Sequence, residues 1–321
     1  MALWTPDRIT TALWLDAADA STITESSGAV SQWADKSGNG HHAEPPSGSA
    51  PATGAATIGG KNVIRFDGVD DVLRGVYSGP LTAAIICVFR VTASSGAYLR
   101  IAAFRDSSVD ALTLAISDNA DRILIARSQD PEGRGSFYDS PRNTPYVLVG
   151  SHPNLEAGSE SVRLNGSTPS VSGTSPLIVG NLIASSYSIG ARWDAAFLAV
   201  DIAELFVVPE PPGTDLLMTT EGYLAHKWGL AANLPAAHPY KDSAPGLFDG
   251  AITDKDGNPA ERRITVLNAA GHCVATDTSD PVTGAYSITV PAESPYTLVF
   301  DGEPDRNAQV FANMIPGESP A

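Results

Sequence analysis

Alternating hydrophobic and polar residues are the main pattern in the first three quarters of the chain. In the segment 61–71, KNVIRFDGVDD, this alternation runs up to the turn dipeptide Asp67-Gly68, which predicts a β-strand closed by a turn. Similar runs predict further strands at 81–91, 98–105, 111–117, 121–127, 145–151, 161–164, 177–179, 186–190 and 200–208. We therefore expect one large β-sandwich with the strand 61–67 in its core.

One segment has the pattern of a helix instead. In 215–230, DLLMTTEGYLAHKWGL, Thr214 or Asp215 can cap the start, and Gly229 can take the left-handed conformation after the end. The apolar positions fall near one face, which we expect to pack onto the sandwich with Glu221 at its edge. These positions are Leu217, Leu224 and Trp228.

The segment 235–250 is rich in proline and turn-forming residues, which predicts a connection between two domains. We place the first domain at 1–240, a linker at 241–246 and a second domain at 247–321. The second domain has three strand-turn units in about 55 residues, a spacing typical of a small β-sandwich. The predicted fold class is all-β, with one capping helix on the larger sandwich.

Composition agrees with a folded, strand-rich chain, since 43% of residues are hydrophobic and Gly (29) and Pro (24) are both frequent. The formal net charge of −16 repels phosphate, which argues against a nucleic-acid partner. No apolar run reaches the roughly 18 residues of a membrane span, and the N-terminus lacks a signal-peptide pattern. Cys87 and Cys273 fall in different predicted domains, so we expect two free, buried thiols.

Several segments of the first domain resemble the concanavalin A-like jelly roll of the laminin-G-like type. These segments are WLDAAD, WADKSGNG, VIRFDGVDDVL, RLNG and SIGARWDAAFLAVDIAELFV. The tail of the domain, EGYLAHKWGLAANLPAAHPYK, resembles a segment of phage virion proteins and of some bacterial surface proteins. The resemblance covers about residues 1–240 and implies a fold more specifically than a function.

The second domain resembles carboxypeptidase-regulatory-like or immunoglobulin-like modules of phage tail proteins. The segments that carry this resemblance are GAITDKDGNPAERRITV, SDPVTGAYSI and DRNAQVFANMIPG. It implies a small accessory module used for spacing, multimer contacts or surface attachment.

Together the resemblances imply a non-enzymatic structural protein of a phage virion, in the tail or tail fibre, whose lectin-like domain contributes to assembly or host-surface attachment. The implied partners are other virion proteins, host-surface glycans and further copies of the chain, with a trimer favoured. Release by lysis would explain the missing signal peptide. The alternatives are a bacterial cell-surface or secreted carbohydrate-binding module and, further off, an accessory subunit of an enzyme.

Glucanase relatives of the jelly roll carry two Glu and one Asp at alternate positions of a strand, where they face the cleft. The matching strand here, VDIAELFVV, has Asp201 and Glu204 three positions apart, which puts them on opposite faces of a regular strand. We therefore expect no glycosidase activity. The sequence also has no Ser-His-Asp set, phosphate loop or paired-cysteine motif.

Acidic residues in predicted loops are candidate calcium ligands, because hard cations are bound by several loop oxygens. The candidates are Asp16, Asp35, Asp70 and Asp71, and calcium is the one cofactor that the sequence suggests. In the alternative interpretation, Asp35 caps a tight turn, while Asp16 and Asp71 accept hydrogen bonds from loop amides.

Sugar binding would use an exposed aromatic ring for stacking, with polar groups that orient the sugar. Trp193, in a predicted loop, is the candidate for stacking, and Asp194 lies next to it in the sequence. Trp14, Trp33 and Trp228 are expected in the core. The alternative for Trp193 is a packing role over one end of the sandwich.

Overall fold

The structure is a computed structural model that describes residues 3–80, 84–93, 99–106, 109–117, 122–126, 135–139, 142–151, 161–169, 171–174, 183–193, 195–210, 212–292, 295–302 and 308–317. Its strands are β1 (Leu13–Asp16), β2 (Ile23–Ser26), β3 (Ala29–Trp33), β4 (Thr57–Ile58), β5 (Lys61–Asn62), β6 (Ile64–Asp67), β7 (Leu73–Pro80), β8 (Ala84–Ala93), β9 (Leu99–Asp106), β10 (Val109–Ser117), β11 (Arg122–Ala126), β12 (Gly135–Asp139), β13 (Tyr146–Ser151), β14 (Ser161–Leu164), β15 (Val171–Thr174), β16 (Ile183–Ile189), β17 (Ala199–Val208), β18 (Pro245–Ala251), β19 (Arg263–Leu267), β20 (Cys273–Thr278), β21 (Ala285–Pro291), β22 (Tyr296–Phe300) and β23 (Gln309–Met314). The helix α1 spans Thr214–Lys227, and short 3₁₀ helices span Pro6–Arg8, Ala20–Thr22 and Ala231–Asn233.

Two antiparallel sheets pack face to face in the larger part of the molecule. The first sheet has the strand order β1-β17-β8-β13-β14, with β6 also paired to β17, and the second has the order β15-β12-β11-β10-β9-β16-β7. Side chains such as Leu15, Phe89, Phe104 and Ile202 fill one continuous core. The predicted all-β sandwich class is therefore confirmed.

The strand predicted at 61–67 forms two short strands, β5 and β6. On one side β6 pairs with β17, and on the other Arg65 forms an antiparallel bridge with Ala52. Ile64 and Phe66 are buried in the core, while Arg65 and Asp67 face outward. Alternation thus assigned the faces of this strand correctly, and its apolar face lies in the core as predicted. The strand predicted at 177–179 lies outside the described residues.

The strand β7, with sequence LRGVYSGP, has no counterpart among the predicted strands. Its two glycines and a serine are typical of turns, and they hid its strand character. Position 75 requires glycine because there is no room for a side chain. A Cβ there would lie 2.3 Å from Cε1 of Tyr187 on the neighbouring strand. The aromatic ring of β16 therefore fills the position that a side chain of β7 would otherwise take.

The helix α1 packs on the outer face of the first sheet, where Leu224 and Trp228 are fully buried. It ends at Lys227, and Gly229 is left-handed with φ +69°, as predicted. The start differs from the prediction, since the N-cap is Gly213, and no side chain caps it. No helix in the described part of the chain is long and apolar enough to span a membrane.

Trp14, Trp33 and Trp228 are buried, which confirms their predicted place in the core. Both cysteines are free thiols, and Cys87 is fully buried in β8. The expected burial of Cys273 is wrong, because it begins β20, an edge strand of a small sheet, and its side chain is exposed.

The C-terminal part has its own two sheets, with the orders β18-β21 and β20-β19-β22-β23, and its own core, which includes Phe248, Leu298 and Phe300. β18 begins at Pro245, so the last residues of the predicted linker are part of a strand. The amide of Trp4 donates a 3.0 Å hydrogen bond to the carbonyl of Pro245, next to the larger sandwich. The division into domains at 241–246 stays a prediction.

Candidate functional site

Trp193 lies in the loop between β16 and β17 and is half-buried. The loop turns sharply at Gly190, with φ +82°, where a Cβ would lie 2.2 Å from Cδ1 of Phe66. Trp193 itself has φ +59°, an uncommon conformation for a bulky residue. Ser188 fixes the loop, since its hydroxyl donates to the carbonyl of Ala191 at 2.8 Å and accepts from the amide of Trp193 at 3.3 Å.

Two arginines approach the indole ring of Trp193. The guanidinium carbons of Arg74 and Arg105 lie 4.5 and 5.1 Å from a ring centroid of Trp193, distances typical of cation–π contacts. Arg74 also donates from Nη2 to the Trp193 carbonyl at 2.8 Å. Strand register aligns Ser188 with Arg74, so this loop lies over the outer face of the second sheet. Asp194 lies outside the described residues.

A second candidate surface is the acidic loop that follows β6. Single carboxylate oxygens of Asp67, Asp70 and Asp71 all lie within 4.8 Å of one another. Oδ1 of Asp67 accepts hydrogen bonds from the amides of Val69 and Asp70, and Oδ2 of Asp71 accepts from the amide of Asp67 at 2.8 Å. The turn thus gathers three carboxylates, of which Asp67 was not among the predicted ligands.

Asp71 has an unusual titration. Burial, together with the nearby charges of Asp67 and Asp70, raises its pKa to about 6. Because the folded state then binds this proton more tightly than the unfolded state, the contribution of Asp71 to stability is greatest below about pH 4. It is lost as the pH rises through about 6.

We expect Asp71→Asn to remove this pH dependence. The stability of the variant minus that of the wild type should rise by about 2 kcal/mol between pH 4 and pH 7 in calcium-free buffer. Urea unfolding at each pH measures this difference in stability, with the exposed Glu210→Gln as the control.

If the loop binds calcium, 5 mM Ca²⁺ at pH 7 should stabilise the wild type and not Asp71→Asn. Equal shifts with Ca²⁺ and Mg²⁺ in both proteins would contradict a calcium site.

The other two predicted calcium ligands lie elsewhere. Asp35 accepts hydrogen bonds from the amides of Trp14, Ser37 and His41 at 2.9 to 3.0 Å, and so organises the turn that follows it. The carboxylate of Asp16 contacts Nζ of Lys36 at 3.1 Å and of Lys227 at 2.8 Å.

The four candidates therefore do not converge on one place. In the strand register, Asp16 lies opposite Glu204 of β17, whereas Asp67, at the start of the acidic loop, lies opposite Ala199 of the same strand. Five positions along a strand correspond to roughly 15 Å. Asp70 and Asp71 are the two predicted ligands that the fold brings together.

Glu204 is fully buried at the centre of a network below α1. Its two carboxylate oxygens accept hydrogen bonds from four side chains at 2.7 to 3.1 Å, and a buried carboxylate requires such partners. Burial raises the pKa of Glu204, and the ammonium group of Lys227 opposes this. The four donors are Trp14, Tyr223, Lys227 and Trp228.

The expectation that Asp201 and Glu204 face opposite sides of the strand is wrong. The pairing of β17 with β8 has an irregularity between Ile202 and Glu204, which is typical of a β-bulge. As a result, Ala203 and Glu204 both face the helix, on the same side as Asp201. Sequence spacing cannot reveal an extra residue in a strand, so the alternation rule failed here.

Glu221 also departs from its predicted place at the edge of the helix face, because it is 1% exposed. Arg163 donates to its carboxylate from Nε at 2.7 Å and from Nη2 at 3.0 Å, and His238 lies 3.3 Å from Oε2. The ion pair joins α1 to β14. The two residues are 58 positions apart in the sequence, and no spacing pattern predicts a contact over that distance.

The fold and these surfaces define an all-β protein in which buried carboxylates join the first sheet to one helix. No family model matches the chain, and no curated protein matches it. The solved structures similar to it include Trypanosoma rangeli sialidase in complex with sialic acid, at 14% identity and a TM-score of 0.48, over 71% of this chain and 34% of the sialidase. The chain thus spans about a third of the length of the sialidases that it matches.

The chain is also similar to the botulinum neurotoxin serotype D binding domain, at 11% identity and a TM-score of 0.48, over 95% of this chain and 70% of that one. A structure described as the HCR/D F1240A mutant gives 10% identity and a TM-score of 0.47, over 94% and 73%. These likenesses concern the β-rich fold alone.

Proposed function

We propose that the chain is a non-enzymatic component of a phage virion, in the tail or tail fibre, and that it binds glycans on the host surface. The observation that favours binding over hydrolysis is the enclosure of the carboxylates on the first sheet and its helix. Asp201, Glu204 and Glu221 are at most 1% exposed, and each accepts hydrogen bonds from a cationic side chain. A retaining glycosidase instead needs two carboxyl groups about 5.5 Å apart beside the scissile bond.

The Trp193 surface is the proposed glycan site. The ring is half-buried and is held by the guanidinium groups of Arg74 and Arg105, so little side-chain freedom is lost when a sugar stacks on its exposed part. Asp194, beside it in the sequence, is the proposed partner for sugar hydroxyl groups. Calcium at the acidic loop after β6 would stabilise that turn, with Asp67, Asp70 and Asp71 as ligands.

The virion assignment is supported by the sequence of residues 221–241 and by the C-terminal module. Val282 and Val310 of that module are 78% and 60% exposed, which suits contacts with other virion proteins or further copies of the chain. The strand β23 also lies at the edge of its sheet and can pair with another chain. A trimer remains the proposed assembly.

The test has two parts. Mass spectrometry of density-purified particles should detect the chain in a constant ratio to the major tail protein, and light scattering of the purified chain should give the mass of a trimer. On a glycan array the chain should retain specific glycans, and Trp193→Ala should weaken that retention at least tenfold, in line with the loss of a stacking aromatic.

Trp193→Phe is the matched control, because it keeps an aromatic ring and should lose less binding than Trp193→Ala. Retention of glycans without any association with particles would favour the alternative, a cellular carbohydrate-binding module. Release of reducing sugar from a bound glycan would overturn the non-enzymatic proposal.

A further inference from the structure

The outer face of the first sheet is only partly covered by α1. Beyond the helix, outward-facing side chains of β6 and β8 line an open cavity of about 570 Å³, within the range of small-ligand sites. The polar residues that line it are Arg65, Asp67, Arg90, Thr92 and Asn143. This cavity is separate from the loop that carries Trp193, which lies over the other sheet.

Two arginines in this cavity share one buried carboxylate. Arg65 donates to Asp201 from Nε at 2.7 Å and from Nη2 at 3.0 Å, and Arg90 donates to Oδ2 from Nε at 3.0 Å and also from Nη2. Asp201 is completely buried, whereas the side chains of Arg65 and Arg90 are 39% and 24% exposed. The group of three therefore has a net charge of +1, and the carboxylate of Asp67, which also lines the cavity, offsets this charge.

The geometry of the guanidinium group leaves donors for a ligand. A guanidinium has five N–H donors in a fixed plane, and the edge formed by Nε and Nη2 faces away from Nη1. Both arginines use the Nε and Nη2 edge for Asp201, so the Nη1 donors point away from that carboxylate. Asp201 thereby fixes the orientation of two groups suited to bind an oxyanion.

We propose that this cavity binds the carboxylate of an acidic sugar, a uronic acid, through Arg65 and Arg90. Thr92 and Asn143 also line the cavity, and the hydroxyl of Thr92 and the side-chain amide of Asn143 supply hydrogen-bonding groups for sugar hydroxyls. Phe66, the aromatic residue of the lining, is only 1% exposed, so recognition depends on charge and hydrogen bonds and not on stacking. The inference goes beyond the proposed function and does not depend on the Trp193 surface.

The binding test is a calorimetric titration of the full chain with digalacturonic acid. Its dimethyl ester is the matched neutral ligand, and sodium acetate tests the carboxylate without the sugar. We expect the acid to bind at least tenfold more tightly than the ester, because charge-assisted hydrogen bonds are lost on esterification. Acetate should bind more weakly than the acid. Equal affinity for acid and ester, or no binding of the acid, would overturn the proposal.

The variants separate this site from the other one. Arg65→Lys with Arg90→Lys keeps two cations beside Asp201 but removes the Nη1 donors, and it should weaken binding of the acid roughly tenfold. Asp67→Asn keeps the Oδ1 acceptor of its turn and removes a negative charge from the cavity, so it should tighten binding two- to threefold, even if the double variant fails to fold. Trp193→Ala should leave acid binding unchanged. A loss of acid binding in Trp193→Ala, with none in the lysine variant, would overturn the assignment to this cavity.

Discussion

Replacement of Glu204 by alanine is expected to lower the free energy of unfolding by about 3–5 kcal/mol, the range for breaking a buried charged network. The substitution removes the acceptor of two indole N–H groups and one phenol, each of which costs about 1–3 kcal/mol when it is buried without a partner. Lys227 keeps a second partner, since Asp16 lies 2.8 Å from its Nζ. The loss therefore comes mainly from Trp14, Tyr223 and Trp228.

Glu204→Gln is the informative companion variant. Oε1 accepts from Trp14 and Tyr223, and Oε2 from Lys227 and Trp228, so an amide NH₂ must face one pair of donors. We expect this nearly isosteric change to cost at least half as much as the change to alanine.

Urea unfolding followed by tryptophan fluorescence measures both Glu204 variants, because all five tryptophans lie in residues 1–240. The control is Glu210→Ala, an exposed glutamate just beyond the same strand, with an expected change below about 0.5 kcal/mol. A loss no larger than that of Glu210→Ala would show that the network below α1 adds little to stability.

The second large effect is expected at the pair of Arg163 and Glu221. Arg163→Met leaves the carboxylate of Glu221 buried, with His238 as its remaining side-chain partner among the described residues, and we expect a loss of about 2–4 kcal/mol. Arg163 also donates to the carbonyl of Gly166 at 2.6 Å, and this bond contributes to the loss. Glu221→Met should destabilise as well, because it leaves the guanidinium without its main acceptor.

A double-mutant cycle isolates the interaction between these two residues. Arg163→Met combined with Glu221→Met should cost at least 1 kcal/mol less than the sum of the single losses, since the double variant leaves neither charge uncompensated. Unfolding free energies from urea titration give the coupling. Additivity within about 0.5 kcal/mol would mean that the contact between α1 and β14 has no energetic weight.

Much of the architecture was predictable from local patterns. Strands with strong alternation or long apolar runs, such as β8 and β17, were located to within a few residues. The left-handed turn at Asn165 and Gly166, with φ of +48° and +77°, agrees with the turn signal of that dipeptide. Such features depend on side-chain periodicity and backbone preference, which act between neighbours in the sequence.

The candidate sites were much less predictable. Asp70 and Asp71 are adjacent in the sequence, so their proximity was evident, but their neighbour Asp67 was overlooked because it ends a strand. Arg65 and Arg90 were not among the predicted site residues, and nothing in the sequence indicated that both would contact Asp201.

The sequence by itself determined that this chain folds as packed antiparallel sheets, since the period of apolar residues fixes which side chains point inward. The tertiary structure alone decided which charged groups meet. Strand order brought Arg65 and Arg90 to Asp201, a bulge in β17 turned Glu204 toward the helix, and helix packing buried Glu221 beside Arg163. The physical reason is that periodicity specifies a face, whereas a polar contact requires the register and order of strands that are distant in the chain.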